Sequence, residues 1–433
     1  MRQRVYPQQT KNFRHPLALV LGGMAGAAFV LGMSAHLVME APDRRVGQPP
    51  CVGQRRLIPM TLAAIAGQQA PCEASLSAVP LATPPLRSST AAAKSLDFLA
   101  IARDYDQLRY TATAPPPFST HPLPGQSPSL DEIVAGILDL VEQQNHPTAA
   151  VSISLVDLTG HCCDYGHYRD QQRRYPASVV KLFWLVALYG QYDAGDLQPD
   201  VDLMADDEVL MAHYSNNGAS SRVVDVLTQT TSGESLDEAS LAEWISARNS
   251  INDYFSLANY RDINLAHKTF PIPDLALDER TGRDLQFAAT DEALTDAPAL
   301  TARNYLTTRA TARLLYEIDA GQAISPAYSD RIKAHLQHST DPAVWQAEPD
   351  NAIEGFLGEY LPPDTQLYTK LGFTFDDGRQ EAAIIETPDG NTRFILVVFA
   401  NDAVYSADSE IFPEIGRYVY DQMQRRQAAQ PSP

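Results

Sequence analysis

A serine three residues ahead of a lysine, Ser178-Val179-Val180-Lys181, is the stretch of this sequence best equipped for chemistry. A hydroxyl is a weak nucleophile until a nearby base takes its proton. Lysine can be that base only if burial or a neighbouring cation destabilises its ammonium form. If a helix starts at Ser178, the amine falls one turn on, on the same face. Phe183, Trp184 and Leu185 would then supply dry surroundings. The helix start also offers the Ser178 N–H and a positive dipole end to a developing oxyanion. Alone, these four residues are explained as well by a capping serine and an exposed lysine. Yet none of Lys11, Lys94, Lys268, Lys333 and Lys370 has a serine three residues before it.

Two further stretches fit the same chemistry. In Tyr214-Ser215-Asn216-Asn217, Ser215 can relay a proton between Ser178, Lys181 and a leaving group, and Asn217 offers an amide to a substrate carbonyl. A plain cap for the helix expected over residues 219–228 is the alternative. In Lys370-Leu371-Gly372-Phe373, Lys370 brings positive charge and Gly372 lets a substrate backbone come close. The Phe373 N–H is the candidate for a second oxyanion donor, and a surface lysine on a strand is the alternative. His161, His213 and His267 raise a Ser–His arrangement, but no G-x-S-x-G elbow surrounds any serine. No phosphate loop, dinucleotide fingerprint, CxxC or Cys/His ligand spacing occurs, so neither a metal nor a cofactor is expected.

Taken in order, the three stretches resemble the S-x-x-K, S-D-N and K-T-G set of the class A β-lactamase and penicillin-binding-protein superfamily. Tyr175-Pro176-Ala177, Asp193-Ala194-Gly195-Asp196-Leu197 and Leu306-Thr307-Thr308 extend the likeness, which covers roughly Ser129 to Met423. The resemblance implies an α+β fold, a five-stranded antiparallel sheet flanked by helices, plus an all-helical lobe with the active serine between them. It implies Ser178, Lys181 and Ser215 as catalytic residues, with Asn217, Lys370, Gly372 and Phe373 binding substrate. Departures are visible. Asn216 stands for the acidic residue of S-D-N, and Leu371 for the hydroxyl residue of K-T-G, removing a hydrogen bond expected to a substrate carboxylate. The glutamate that activates the deacylating water has no clean match between Asn259 and Asn304. Glu279 and Glu292 are candidates by position only.

Several elements must position these residues. Leu130, Ile133, Ile137, Leu138 and Val141 recur at helical spacing behind Ser129, a capping residue. Residues 149–158 alternate as a strand, residues 179–189 form a buried helix, and helices follow over 219–228, 240–255, 308–319 and 328–338. Strands are expected over 366–374, 381–386 and 393–400, the last two joined by Pro388-Asp389-Gly390-Asn391, with a closing helix over 409–424. One sheet then requires the early strands to pair with the late ones, the helical middle folding as a second lobe.

Ahead of this part, Arg2, Arg4, Lys11 and Arg14 precede an apolar run from Leu17 to Val38, long enough to cross about 30 Å of hydrocarbon. The basic flank belongs in the cytoplasm, which puts everything downstream on the extracytoplasmic, periplasmic side. A cleaved signal peptide is the alternative. The expected organisation is a basic tail over 1–16, an anchor over 17–38, a Pro/Ser/Ala-rich spacer over 39–127 with a short helix near 91–108, and a hydrolase domain over 128–427. Cys51 and Cys72 can pair in an oxidising compartment, whereas the adjacent Cys162 and Cys163 seldom pair with each other. A formal net charge of −20 disfavours nucleic acid as a partner. A monomer acting on a small β-lactam or a peptidoglycan peptide is expected. Three functions are open: β-lactam hydrolysis, D-Ala-D-Ala peptidase action, and peptidoglycan or partner binding without catalysis.

Overall fold

Strand β6 (Arg393–Ala400) shows why the sheet sits between two layers of helix. Ile395, Val397 and Phe399 point into one core, and Phe394, Leu396, Val398 and Ala400 into another. A strand buried on both faces reads as a continuous apolar run, and this one does. The computed structural model describes residues 128–159, 163–199, 203–291, 303–348 and 350–429. The expected anchor, spacer, short helix near 91–108, Cys51 and Cys72 lie outside them. Among the described residues no helix is long and apolar enough to cross a membrane.

The described chain opens with α1 (Leu130–Gln143), whose Ser129 and Glu132 form a reciprocal capping box. Strands β1 (Val151–Asp157) and β2 (Asp164–Tyr168) follow, then α2 (Val180–Ala194) after a 3-10 turn over Ala177–Val179. The helical lobe holds α3 (Asp207–Ala212), α4 (Asn217–Thr228), α5 (Glu238–Leu257) and α6 (Gly282–Asp291). The chain returns through α7 (Thr308–Asp319), α8 (Pro326–Leu336), β3 (Gln337–His338) and α9 (Pro342–Trp345). Strands β4 (Gln366–Thr374), β5 (Gly378–Glu386) and β6 precede α10 (Ala403–Ala407) and α11 (Ile411–Ala428).

The sheet has six strands in the order β2-β1-β6-β5-β4-β3, every pair antiparallel, not the five expected. The sixth is β3. Residues 328–338 were expected to be all helix, but Gln337 turns extended and pairs with Tyr368, and His338 pairs with Leu367. Early and late strands do meet, with Val151 opposite Ala400 and Asp157 opposite Phe394. On one face α2, α4, α5, α7 and α8 close the first core; on the other, α1, α11 and the loop around Phe356 close the second. Cys163 is buried and disulfide-bonded.

Gly378, at the β4–β5 turn, has φ +103, and an added Cβ would lie 1.8 Å from the Ala400 carbonyl oxygen. Gly390, also left-handed at φ +70, would meet only Glu386 at 3.5 Å. Gly390→Ala should therefore cost about 1 kcal/mol from backbone strain alone. Gly378→Ala should cost 2 kcal/mol or more, since the β6 backbone must also shift. Urea denaturation of the two variants compares them; equal losses would contradict the packing at Gly378.

Candidate active site

The α2 helix is buried all round from Val180 to Tyr192, including Lys181, which is 0 % exposed. Ser178 sits half-buried in the 3-10 turn just ahead of it. Ala177 takes a left-handed φ of +44, a costly conformation for a residue with a Cβ. Across the site Ser215 does the same at φ +56. The serine on each side thus sits at or next to a strained residue held by its surroundings.

Lys181 Nζ donates to the Ser215 carbonyl at 2.5 Å and to Asn217 Oδ1 at 2.7 Å, with Ser215 Oγ at 3.4 Å. A neutral amine has two hydrogens and one lone pair. Two short acceptors use the hydrogens and leave the lone pair for an incoming proton. Burial pushes the Lys181 pKa well below its ordinary value, and the charge of Lys370 pushes it further the same way. Lys370, 2 % exposed on β4, donates to Ser215 Oγ at 2.9 Å and to the Leu371 carbonyl at 3.1 Å. Burial lowers its pKa to about 7, partly offset by Glu381. Ser215 Oγ therefore bridges the two amines, as a proton relay requires. Among the described residues the Ser178 hydroxyl makes no hydrogen bond.

Asn216 caps α4, its Oδ1 accepting from the Ala219 N–H at 2.9 Å. The cap falls to the residue that departs from S-D-N, leaving Ser215 and Asn217 for the site. Asn217 Oδ1 also accepts from the Thr269 hydroxyl at 2.9 Å, and its Nδ2 donates to the Pro271 carbonyl at 2.8 Å. One of its two N–H donors is thus used internally, and the other has no acceptor among the described residues.

Gly372 lies against the turn that carries Ser178. An added Cβ would meet the Pro176 carbonyl at 2.4 Å and the Ser178 nitrogen at 3.0 Å. Its missing side chain admits the turn that carries Ser178. The same closeness brings the strand that carries the Phe373 N–H beside Ser178.

Among the described residues no Ser–His arrangement is built. His267 stacks on Phe287 at 4.4 Å, and His161 lies outside the described residues. His213 stacks instead on His338 at 4.1 Å and meets Tyr214 edge-on at 4.7 Å. Burial lowers both imidazole pKa values, that of His338 to about 3, with His213 and Lys370 lowering it further. Of the candidate glutamates, Glu279 is exposed and shares none of these hydrogen bonds, and Glu292 lies outside the described residues. The segment that reaches the cluster, Thr269-Phe270-Pro271, carries no carboxylate.

Sequence reasoning missed Thr269, Pro271, His338 and Glu381. Glu381, fully buried on β5, accepts from the Thr369 hydroxyl at 2.7 Å and the Leu357 N–H at 2.7 Å. Burial raises its pKa to about 7. A charged residue inside the apolar strand Glu381–Glu386 was the one signal available.

The family model of the beta-lactamase enzyme family matches residues 132–423. Among solved structures, a β-lactamase from Chitinophaga pinensis is 15 % identical, covering 67 % of this chain and 98 % of its own, with a TM-score of 0.45. One from Sphaerobacter thermophilus is 18 % identical over 69 % and 99 %, with a TM-score of 0.44. The structure of PBP-A is 17 % identical over 69 % and 98 %, with a TM-score of 0.45. No curated protein sequence matches the chain.

The His338 imidazole sets a pH dependence. Unfolded, it takes a proton near pH 6.5; folded, it resists one down to about 3. The unfolded chain binds the extra proton in between, so stability falls as pH drops below about 6.5. His338→Phe keeps the ring stack and removes the titration. Between pH 7 and 5 the variant should lose about 2 kcal/mol less stability than the parent. Parallel losses in urea titrations at the two pH values would refute this.

Proposed function

This chain belongs to the beta-lactamase enzyme family, and on that premise we propose a class A-type acyl hydrolase, acylated at Ser178 by β-lactams and slow to release the product. We further propose that residues 17–38 tether it to a membrane with the folded part on the extracytoplasmic side. The basic flank and apolar run support that placement, and a disulfide at Cys163 fits an oxidising compartment. One observation carries the catalytic reading: a fully buried amine one turn past the serine, beside a second buried amine, with Ser215 Oγ between them.

In this reading Lys181 takes the Ser178 proton as Oγ bonds to the ring carbonyl carbon. The N–H groups of Ser178 and Phe373 receive the oxyanion. Ser215 hands the proton to the departing ring nitrogen, and Lys370 holds the Ser215 hydroxyl in place. Release is the weak step, because the Thr269–Pro271 segment has no carboxylate to activate water. That lack also favours the second reading, a D-Ala-D-Ala peptidase of penicillin-binding type, for which a long-lived penicilloyl adduct is the inhibited state. The intact two-lysine cluster argues against a purely binding role.

Incubation with benzylpenicillin should give one covalent adduct on Ser178, lasting hours by mass spectrometry. Lys181→Ala should slow its formation by 10³-fold or more, as loss of an essential base does. No adduct on Ser178 would end the proposal. Phe270→Glu, placing a carboxylate next to Thr269, should shorten the adduct's lifetime at least tenfold. An unaltered lifetime would mean that a missing base does not limit release.

A further inference from the structure

Asn217 Oδ1 takes one hydrogen of the Lys181 amine at 2.7 Å, so the amine is aimed only as well as Asn217 is held. An amide carried on two rotatable bonds must be pinned from outside. Both pins come from segment 267–275. The Thr269 hydroxyl donates to Asn217 Oδ1 at 2.9 Å, and the Pro271 carbonyl accepts from its Nδ2 at 2.8 Å. On either side of these contacts the segment is fastened to α4 by charge. Upstream, the buried Lys268 donates to Asp225 Oδ2 at 2.7 Å. Downstream, Asp274 Oδ2 accepts from Arg222 Nη1 at 2.5 Å. Asp274 stands three residues past Pro271 in the 3-10 turn Pro273–Leu275, which Ile272 and Leu277 close by pairing backbone to backbone at 2.7 and 3.2 Å. A turn closed on itself moves as a unit, so a pull on Asp274 reaches Pro271.

Arg222 can exert that pull because its other donors are fixed. Nε and Nη2 lie 3.0 and 2.7 Å from the two carboxylate oxygens of Asp207, a fully buried residue of α3. A guanidinium bound in this forked way has its remaining nitrogen aimed, which a lysine ammonium cannot match. Helix α3 runs into the loop of Ser215, and α4 starts at Asn217. One side chain therefore joins the helices on both sides of Ser215 to the segment that pins Asn217. Gly218 makes room for the contact, since an added Cβ would lie 2.2 Å from Asp274 Oδ2. The Asp274 side chain is 47 % exposed, so its charge and not its burial keeps it there.

We infer that Arg222 is a positioning residue for acylation: its clasp on Asp274 holds segment 267–275 against α4, and through Thr269, Pro271 and Asn217 it aims the Lys181 amine and keeps water from it. The inference rests on Lys181 taking the Ser178 proton, as proposed above. With the clasp open, Asn217 loses its pins and water reaches the amine. Hydration favours the ammonium form, so a smaller share of Lys181 is a base at neutral pH.

Three variants open the clasp in different ways. Asp274→Asn removes one charge from an exposed position and leaves Arg222 on Asp207. Arg222→Lys keeps the charge but cannot serve both carboxylates, and the buried Asp207 retains it. Gly218→Ala suits a helix better than glycine does, yet drives the Asp274 carboxylate away. In the full chain each should slow the labelling of Ser178 by benzylpenicillin about fivefold, the weight of one well-formed surface ion pair. Each should also raise the Lys181 midpoint, followed by NMR of ¹³C-labelled lysine, by about 0.7 of a pH unit, the same fivefold written as a protonation equilibrium. Slower labelling with an unmoved midpoint would make the ion pair merely structural and overturn the inference, as would unchanged rates and midpoints. If the parent chain takes no label the proposed function fails, while the lysine titration still decides for or against the clasp.

Discussion

Two lysine amines buried within reach of one serine hydroxyl are the constraint on which the site depends. Burial destabilises a single ammonium, and a second one nearby destabilises it further. Lys181 and Lys370 therefore cannot both hold a proton comfortably, and the more enclosed Lys181 is driven further below its ordinary value. Glu381 pulls the other way, raising the Lys370 pKa from across the strand. The result is an asymmetric pair: a base ready to accept a proton, and a cation that loses its charge only near neutrality.

The fold serves that asymmetry. An α2 helix apolar on every side has no solvated face to which Lys181 could turn. Gly372 lets β4 press against the turn at Ser178, which sets Lys370 against Ser215. The stacked imidazoles of His213 and His338 join the Ser215 loop to β3, and Thr269 and Asn217 tie the 267–272 segment to the Lys181 amine. Each tie joins residues far apart in the chain. The site is therefore a product of the assembled fold and of no single element.

This explains what the sequence made legible. Helix 308–319 and strands 366–374 and 393–400 were readable to the residue, because local periodicity and turn chemistry decide them. Ser178, Lys181, Ser215 and Lys370 were readable because their types and order are distinctive. Thr269 was not, because a threonine in a loop carries no mark of the asparagine it will meet 52 residues away. His338 was read as the end of a helix, since pairing with Leu367 is a tertiary event. The packing of Gly372 on the Pro176–Ser178 turn was not legible either, because the sequence cannot show which backbone will lie against a glycine.

The central claim, that the Lys181 amine is neutral and ready to take a proton at working pH, is open to direct measurement. NMR titration of protein carrying ¹³C-labelled lysine, with Lys181→Met to assign the signal, follows the Lys181 Cε resonance against pH. The account predicts a midpoint well below that of an ordinary lysine, shifting upward when Lys370 is replaced by methionine. A midpoint at the ordinary value, indifferent to Lys370, would contradict it.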